Sequence, residues 1–187
     1  FLSRLNAALI VKIGDPSVLI PELAKKLQVD AVFTNEDFEP YAKERDQRVS
    51  LALTSQNQEL IHFKDQVIFA KDEILNQEGK PYRVFTSYKN KWLSEFSTTM
   101  VRDVSFQNYN FTHYETLKPF LSPWRLKDIG FENQELLIDA GEEAAQLRLS
   151  TFAKKVSAYD KTRDYPAIDL GTSGLSVCLR FGTISIR

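Results

Sequence analysis

Between Ala7 and Thr34 the chain alternates short apolar runs with an amphipathic helix, an order that a parallel α/β sheet accommodates and few other architectures do. Ala7–Ile13 (AALIVKI) has the length and branching of a buried parallel strand. Gly14-Asp15-Pro16 breaks it, with Asp15 suited to cap a helix and Pro16 to fill its first turn. Ile20, Leu23, Ala24 and Leu27 then recur at i, i+3, i+4 and i+7, which makes one apolar face. Val29–Thr34 (VDAVFT) is expected as a second buried strand. The three pieces form a β-α-β crossover, right-handed by the general rule. A further helix is expected from Glu39-Pro40 to about Thr54. Leu60–Phe63 and Val67-Ile68 follow as short strands or a turn between them. The expected fold class is α/β, with an incomplete Rossmann-like parallel sheet of which the later strands are present.

Composition narrows the function classes. The hydrophobic share is 43% and the charged share 26%, ordinary for a globular chain with a real core. No apolar run approaches the roughly 20 residues that span a bilayer, so no membrane partner is expected. Arg4 and Asn6 interrupt the opening, which lacks a signal-peptide pattern. A single cysteine, Cys178, excludes an intrachain disulfide and points to a reducing, cytoplasmic compartment, nucleoid-associated if the source is bacterial. His62 and His113 with one Cys do not make a zinc site of the usual kind, and no metal is expected. Cys178 is read as a small packing residue.

Charge is uneven along the chain. From Arg148 to Arg187 seven basic residues face three acidic ones, a net +4 in a chain whose total is −1. A basic stretch of this kind suits phosphate or nucleic-acid contact, and equally a solvated helix face.

Periodicity weakens from Ala70 to about Ala140. Gly79-Lys80-Pro81-Tyr82 and Ser122-Pro123 are turn signals, and a helix is expected around Ser87–Phe96. The stretch reads as a connector with short helices. Gly141-Glu142-Glu143 opens a new helix, in which Ala145, Leu149, Phe152, Val156 and Tyr159 step by four, three, four and three residues along one stripe. Lys154 and Lys155 fall outside it. The turn Gly171-Thr172-Ser173-Gly174-Leu175-Ser176 comes next. Thr172 or Ser173 could cap a helix containing Leu175, Leu179 and Phe181. The same unpaired N–H groups and hydroxyls could hold a pyrophosphate. Neither a GxGxxG nor a Walker pattern is present.

The stretch Tyr159–Arg187 resembles the DNA photolyase/cryptochrome family. The resemblance is carried by Tyr159, Arg163-Asp164, Pro166-Ala167, Gly171 to Ser176, Leu179 to Gly182 and Ser185-Ile186-Arg187, at fixed spacing. A second match runs from Thr34 to Asp46, with Asn35, Glu39, Pro40, Tyr41, Arg45 and Asp46 at the carboxyl end of a strand. A third is Gly79–Leu93, whose aromatics Tyr82, Phe85, Tyr88 and Trp92 look like those that dock the family's connector. Basic residues between them leave base stacking as the other reading.

That resemblance implies light-driven DNA repair in the full-length protein, by FAD-dependent electron transfer that splits cyclobutane pyrimidine dimers. The alternatives are a cryptochrome-type blue-light receptor and a non-catalytic truncated homologue. It implies that residues 1–70 are part of an antenna domain, 71–140 a connector, and 141–187 the first helices of an all-α FAD-binding domain. Tyr159, Thr172, Ser173, Gly174, Leu175 and Ser176 are implied to contact FAD, and Arg163 to face damaged DNA. Tyr159 can also simply end its apolar stripe, and Arg163 can pair with Asp160 or Asp164. The Asn-Glu pair that folate-binding members carry around Tyr41 and Ala42 is missing, so the antenna chromophore stays open among deazaflavin, folate, another flavin and none. Trp92 and Trp124 lie in the connector and are not the family's electron relay. No catalytic residue is expected within this chain. It is expected to be a fragment of a monomeric protein, shortened before Ile13 and lacking everything past Arg187.

Overall fold

The computed structural model describes residues 5–101, 110–132 and 138–187. They group into two compact units, one of residues 1–64 with 102–133, the other of 65–101 with 134–187. The connector expected over 71–140 is thus shared between the two, and its stretches 102–109 and 133–137 lie outside the described residues.

In the first unit, helix α1 spans Pro16–Leu27. Asp15 caps it: one carboxylate oxygen accepts from Ser17 N at 2.9 Å and from Ser17 Oγ at 2.8 Å. Pro16 opens the helix, where its missing N–H costs nothing. The far end closes on Gln28 in the left-handed region (φ 53°), with Val29 N bonded back to Ala24 O at 3.2 Å. Strand β1 (Ala31–Asn35) follows, then helix α2 (Pro40–Thr54) and strand β2 (Glu59–Phe63). The two strands pair in parallel from Ala31 opposite Glu59 to Asn35 opposite Phe63.

The sheet is small, and its stability comes from the helices. Ala24, Val49 and Leu53 form the buried centre, with Ile20, Val29, Val32 and Leu60 packed against it. Gln58 ties this centre together from a buried position. Its amide nitrogen donates to Ala24 O at 3.0 Å and to Val29 O at 2.6 Å, which satisfies the end of α1.

Three sequence expectations need correction here. Ala7–Ile13 is not a strand. The run and the Asn6 before it bond instead to residues 114–124: Tyr114 N donates to Asn6 O at 2.7 Å, Trp124 Nε1 to Val11 O at 3.1 Å, and Lys12 Nζ to Ser122 Oγ at 3.4 Å. Ala7 is buried, but Leu9, Val11 and Ile13 are exposed, which a central strand would not tolerate. The β-α-β crossover is therefore β1–α2–β2, one step further along the chain. The strand begins at Ala31 because the Val29 N–H is spent closing α1. Of the two readings of Val67-Ile68, strand or turn, the strand is absent: Ile68 lies in a bend and neither residue pairs in the sheet.

The cap has a pH signature. The two Ser17 bonds, the side-chain one foremost, hold the Asp15 carboxyl below its ordinary range. A depressed folded-state pKa contributes stability above the unfolded value, which is lost as pH falls through the folded one. Asp15→Asn is expected to flatten the acid side of the stability profile. Thermal melts between neutral and acid pH test this, and identical acid limbs for the two proteins would contradict it.

In the second unit, helix α3 (Phe85–Glu95) stacks Trp92 on Phe96 with centroids 5.1 Å apart, and Phe69 meets Trp92 edge-on at 5.3 Å. Tyr82 and Tyr88 pack edge-on at 6.5 Å, whereas Phe85 is 74% exposed. The short helix α4 (Tyr114–Leu117) belongs to the first unit. Helix α5 (Glu142–Ala153) starts at Gly141, whose φ of 98° suits glycine alone.

The single stripe expected out to Tyr159 breaks after Ala153. A 3₁₀ turn at Val156–Ala158 and helix α6 (Tyr159–Thr162) follow. The Ser150 and Thr151 hydroxyls both back-bond to Leu147 O, at 2.9 and 2.8 Å, which weakens a helix end. Phe152 and Tyr159 still meet edge-on at 5.8 Å across the break, so the spacing predicted a contact but not a continuous helix.

Candidate flavin-binding turn

The turn Gly171–Ser176 is held from two sides. On one, the Thr162 hydroxyl at the end of α6 donates to Gly171 O at 2.7 Å. Gly171 is buried, and a Cβ there would lie 3.0 Å from Ile168 O and 3.2 Å from Thr162 O, so a larger residue would have to push the backbone apart by a few tenths of an ångström. On the other side, Leu175 and Cys178 pack with Ala145 of α5 into a small core that Ile184 borders. The packing role expected of Cys178 is what the structure shows.

Helix α7 begins at Ser176 and ends at Arg180. This corrects the capping expectation: Leu175 occupies the cap position, and no side chain caps the helix. Leu175 and Phe181 lie outside it. The cause is Gly174, whose φ of 60° places the left-handed residue between the hydroxyls and the helix. Ser173 Oγ accepts from Leu175 N at 3.4 Å, a local turn bond at the long end of the range. Among the described residues the Thr172 and Ser176 hydroxyls have no hydrogen-bond partner, and both are exposed.

Tyr159 is 40% exposed on α6, three residues before the Thr162 that grips the turn. Arg163 follows on the surface, with Nε 3.7 Å from an Asp164 carboxylate oxygen. The structure thus joins Tyr159, Arg163 and residues 171–176 in one unit through the Thr162–Gly171 bond. One residue escaped the sequence reading: Thr162, although it lies one helical turn from Tyr159. Arg148 was legible only as one charge of the basic stretch, with nothing to tie it to this turn. It stands on α5, and its Nη1 lies 2.7 Å from where a Cβ on Gly174 would sit. A turn with unbonded hydroxyls, a side-chain-free residue at its crest and a guanidinium beside it fits the phosphates of a dinucleotide.

The antenna-side match sits where β1 runs into α2. Tyr41 is 62% exposed. Arg45 and Asp46 form a part-buried ion pair at 2.7 Å, with side chains 27% and 13% exposed. The bond to Asp46 holds the Arg45 guanidinium further above its already high range.

Residues 2–110 match the family described as DNA photolyase. The chain belongs to the DNA photolyase family. It is 36% identical over 187 residues to a deoxyribodipyrimidine photo-lyase of a Synechococcus strain, covering 97% of this chain and 38% of that protein. The cryptochrome of a Synechocystis species superimposes with a TM-score of 0.80 at 17% identity, over 98% of this chain and 39% of that one. An archaeal photolyase from Sulfolobus tokodaii, described with two FAD molecules, gives 0.66 at 23%, over 98% and 38%. The chain therefore spans under two-fifths of the length of these relatives. The fold expectation, a parallel α/β domain followed by helices, holds. Among the described residues no helix is long and apolar enough to cross a membrane.

Proposed function

We propose that the full-length protein containing this chain is a light-driven, FAD-dependent deoxyribodipyrimidine photolyase acting on cyclobutane pyrimidine dimers in DNA. In this reading residues 1–70 belong to the antenna domain, 71–140 connect it, and 141–187 open the FAD-binding domain. The observation that carries it is the Gly171–Ser176 turn, built rigidly yet with its Thr172 and Ser176 hydroxyls left unbonded. Bound and reduced, FAD supplies an electron donor that blue light excites. This chain's part is to hold it. Thr172, Ser176 and the amides of Ser173, Gly174 and Leu175 would hold its phosphates, the Leu175 amide giving up its long bond to Ser173 Oγ, and Tyr159 would flank them. The antenna site stays open among a deazaflavin, a folate, another flavin and no chromophore, and the protein acts as a cytoplasmic monomer.

Arg163 is assigned to the DNA backbone. Its pairing with Asp164 is long and exposed on both sides, 55% and 76%, and such pairs contribute little. A phosphate can therefore replace Asp164 as its partner. Arg163→Ala is expected to weaken binding of dimer-containing DNA and to flatten the log–log salt dependence by about 0.9, one phosphate's worth. Flavin content should stay as in the parent. Lower thermal stability with an unaltered slope would return Arg163 to a structural pair with Asp164.

The second reading is a cryptochrome, whose fold this chain shares as it shares that of photolyases. The absorption spectrum of the full-length protein, followed by a light-driven repair assay on dimer-containing DNA, separates the two. A flavin spectrum with repair supports the photolyase, a flavin spectrum without repair supports the photoreceptor, and no flavin at all sinks both.

A further inference from the structure

Arg148 is a half-buried cation to which no described residue offers a hydrogen bond or an ion pair. Its position is set by packing. Ala145 stands three residues earlier on α5, on the same helix face, and is fully buried against Leu175 and Cys178. That contact lays Arg148 over the Gly171–Ser176 turn. The guanidinium takes the place a side chain at 174 would need: a Cβ there would lie 2.7 Å from Nη1, 3.7 Å from Cζ and 3.9 Å from Cδ. Gly174 meets the demand of a φ of 60°, and a side chain there would also have to push the Arg148 guanidinium aside.

A guanidinium carries five N–H donors in a planar fork and stays charged throughout the physiological range. Holding it half out of water without an anion costs free energy that a bound anion returns. Glu142 and Glu143 share α5, but neither pairs with it. Two residues to either side of Gly174 along the chain are Thr172 and Ser176, whose hydroxyls have no partner among the described residues. A fork of N–H donors at a left-handed turn that carries hydroxyls matches a diphosphate better than a single carboxylate, because several acceptor oxygens must be served together.

Resting on the reading of this turn as the flavin site, we infer that Arg148 is a diphosphate-binding cation, and that it makes the site choose flavins by their phosphates. The isoalloxazine ring gains nothing from it. The preference for FAD over riboflavin, which has no phosphate, is therefore set in part by a residue on the neighbouring helix and not by the turn alone.

The test uses the full-length protein and two probes, FAD and riboflavin, with dissociation constants from quenching of flavin fluorescence. Arg148→Gln is expected to weaken FAD binding about tenfold or more, the loss of a charge-assisted bond. Riboflavin binding should change by less than about twofold, and Arg148→Lys should recover part of the FAD affinity, since it keeps the charge without the fork. Equal weakening of both flavins makes Arg148 a structural prop and overturns the inference, as does unchanged FAD affinity. The Thr172→Ala/Ser176→Ala variant, measured alongside, separates the two claims. If it loses FAD while Arg148→Gln does not, the turn remains the flavin site and the assignment of Arg148 falls. If neither variant loses FAD, both fall. Should Arg148→Gln fail to fold, Arg148→Met keeps the apolar stem and reports the same FAD-to-riboflavin ratio.

Discussion

Leu53→Ala is expected to cost the first unit about 2–5 kcal/mol, the range for emptying a fully buried leucine site. Leu53 has no exposed surface and, with Val49 and Ala24, forms the point where α1, α2 and the sheet meet. Two paired strands do not hold together in water without a packed face. The strands here are only five residues each, so this cluster must supply what the sheet lacks. The cavity left by three carbon atoms would have little chance to collapse, since Gln58 pins the end of α1 from behind. Leu51 is the matched control: it lies two residues away on α2, is 66% exposed, and its replacement by Ala should change stability by less than about 0.5 kcal/mol. Chemical denaturation of both variants reads the contrast. Equal midpoints for the two would mean that this cluster is not the core of the unit.

The sequence was legible where local chemistry and periodicity agreed. Asp15-Pro16 with the Ile20–Leu27 face marked α1, and Glu39-Pro40 marked the start of α2 to within a residue. It was misleading where the deciding partner lay far along the chain. Ala7–Ile13 has strand composition, but Trp124 and Tyr114, more than 100 residues on, claim its neighbourhood. An apolar run states that it will be covered, not by what. The α5 stripe failed for a subtler reason: the spacing stayed helical through Tyr159 while the Ser150 and Thr151 hydroxyls, which the stripe ignores, loosened the helix end.

At the candidate site the resemblance pointed to a segment, and the backbone shows how that segment is built. Thr172 and Ser173 have the chemistry of helix caps, yet Gly174 turns the chain left-handed before the helix can begin. Arg148 could not be found from spacing, because its relation to Gly174 runs through the packing of Ala145 on Leu175.

The left-handed turn makes the double substitution Thr172→Ala/Ser176→Ala a clean experiment. Had these hydroxyls capped α7, removing them would cost about 1 kcal/mol of stability. They bond to nothing among the described residues, so the melting temperature of the full-length protein without flavin should barely move. A hydroxyl bonded to a charged phosphate contributes on the order of 1–3 kcal/mol. Losing two, about 2–6 kcal/mol together, should therefore weaken FAD binding by about thirtyfold at the least. The protein should purify with little flavin, visible as a fall in absorbance near the flavin bands relative to the protein band. Undiminished flavin occupancy in a well-folded double variant would remove the turn from the cofactor site. A large stability loss without flavin would instead show that these hydroxyls serve the fold.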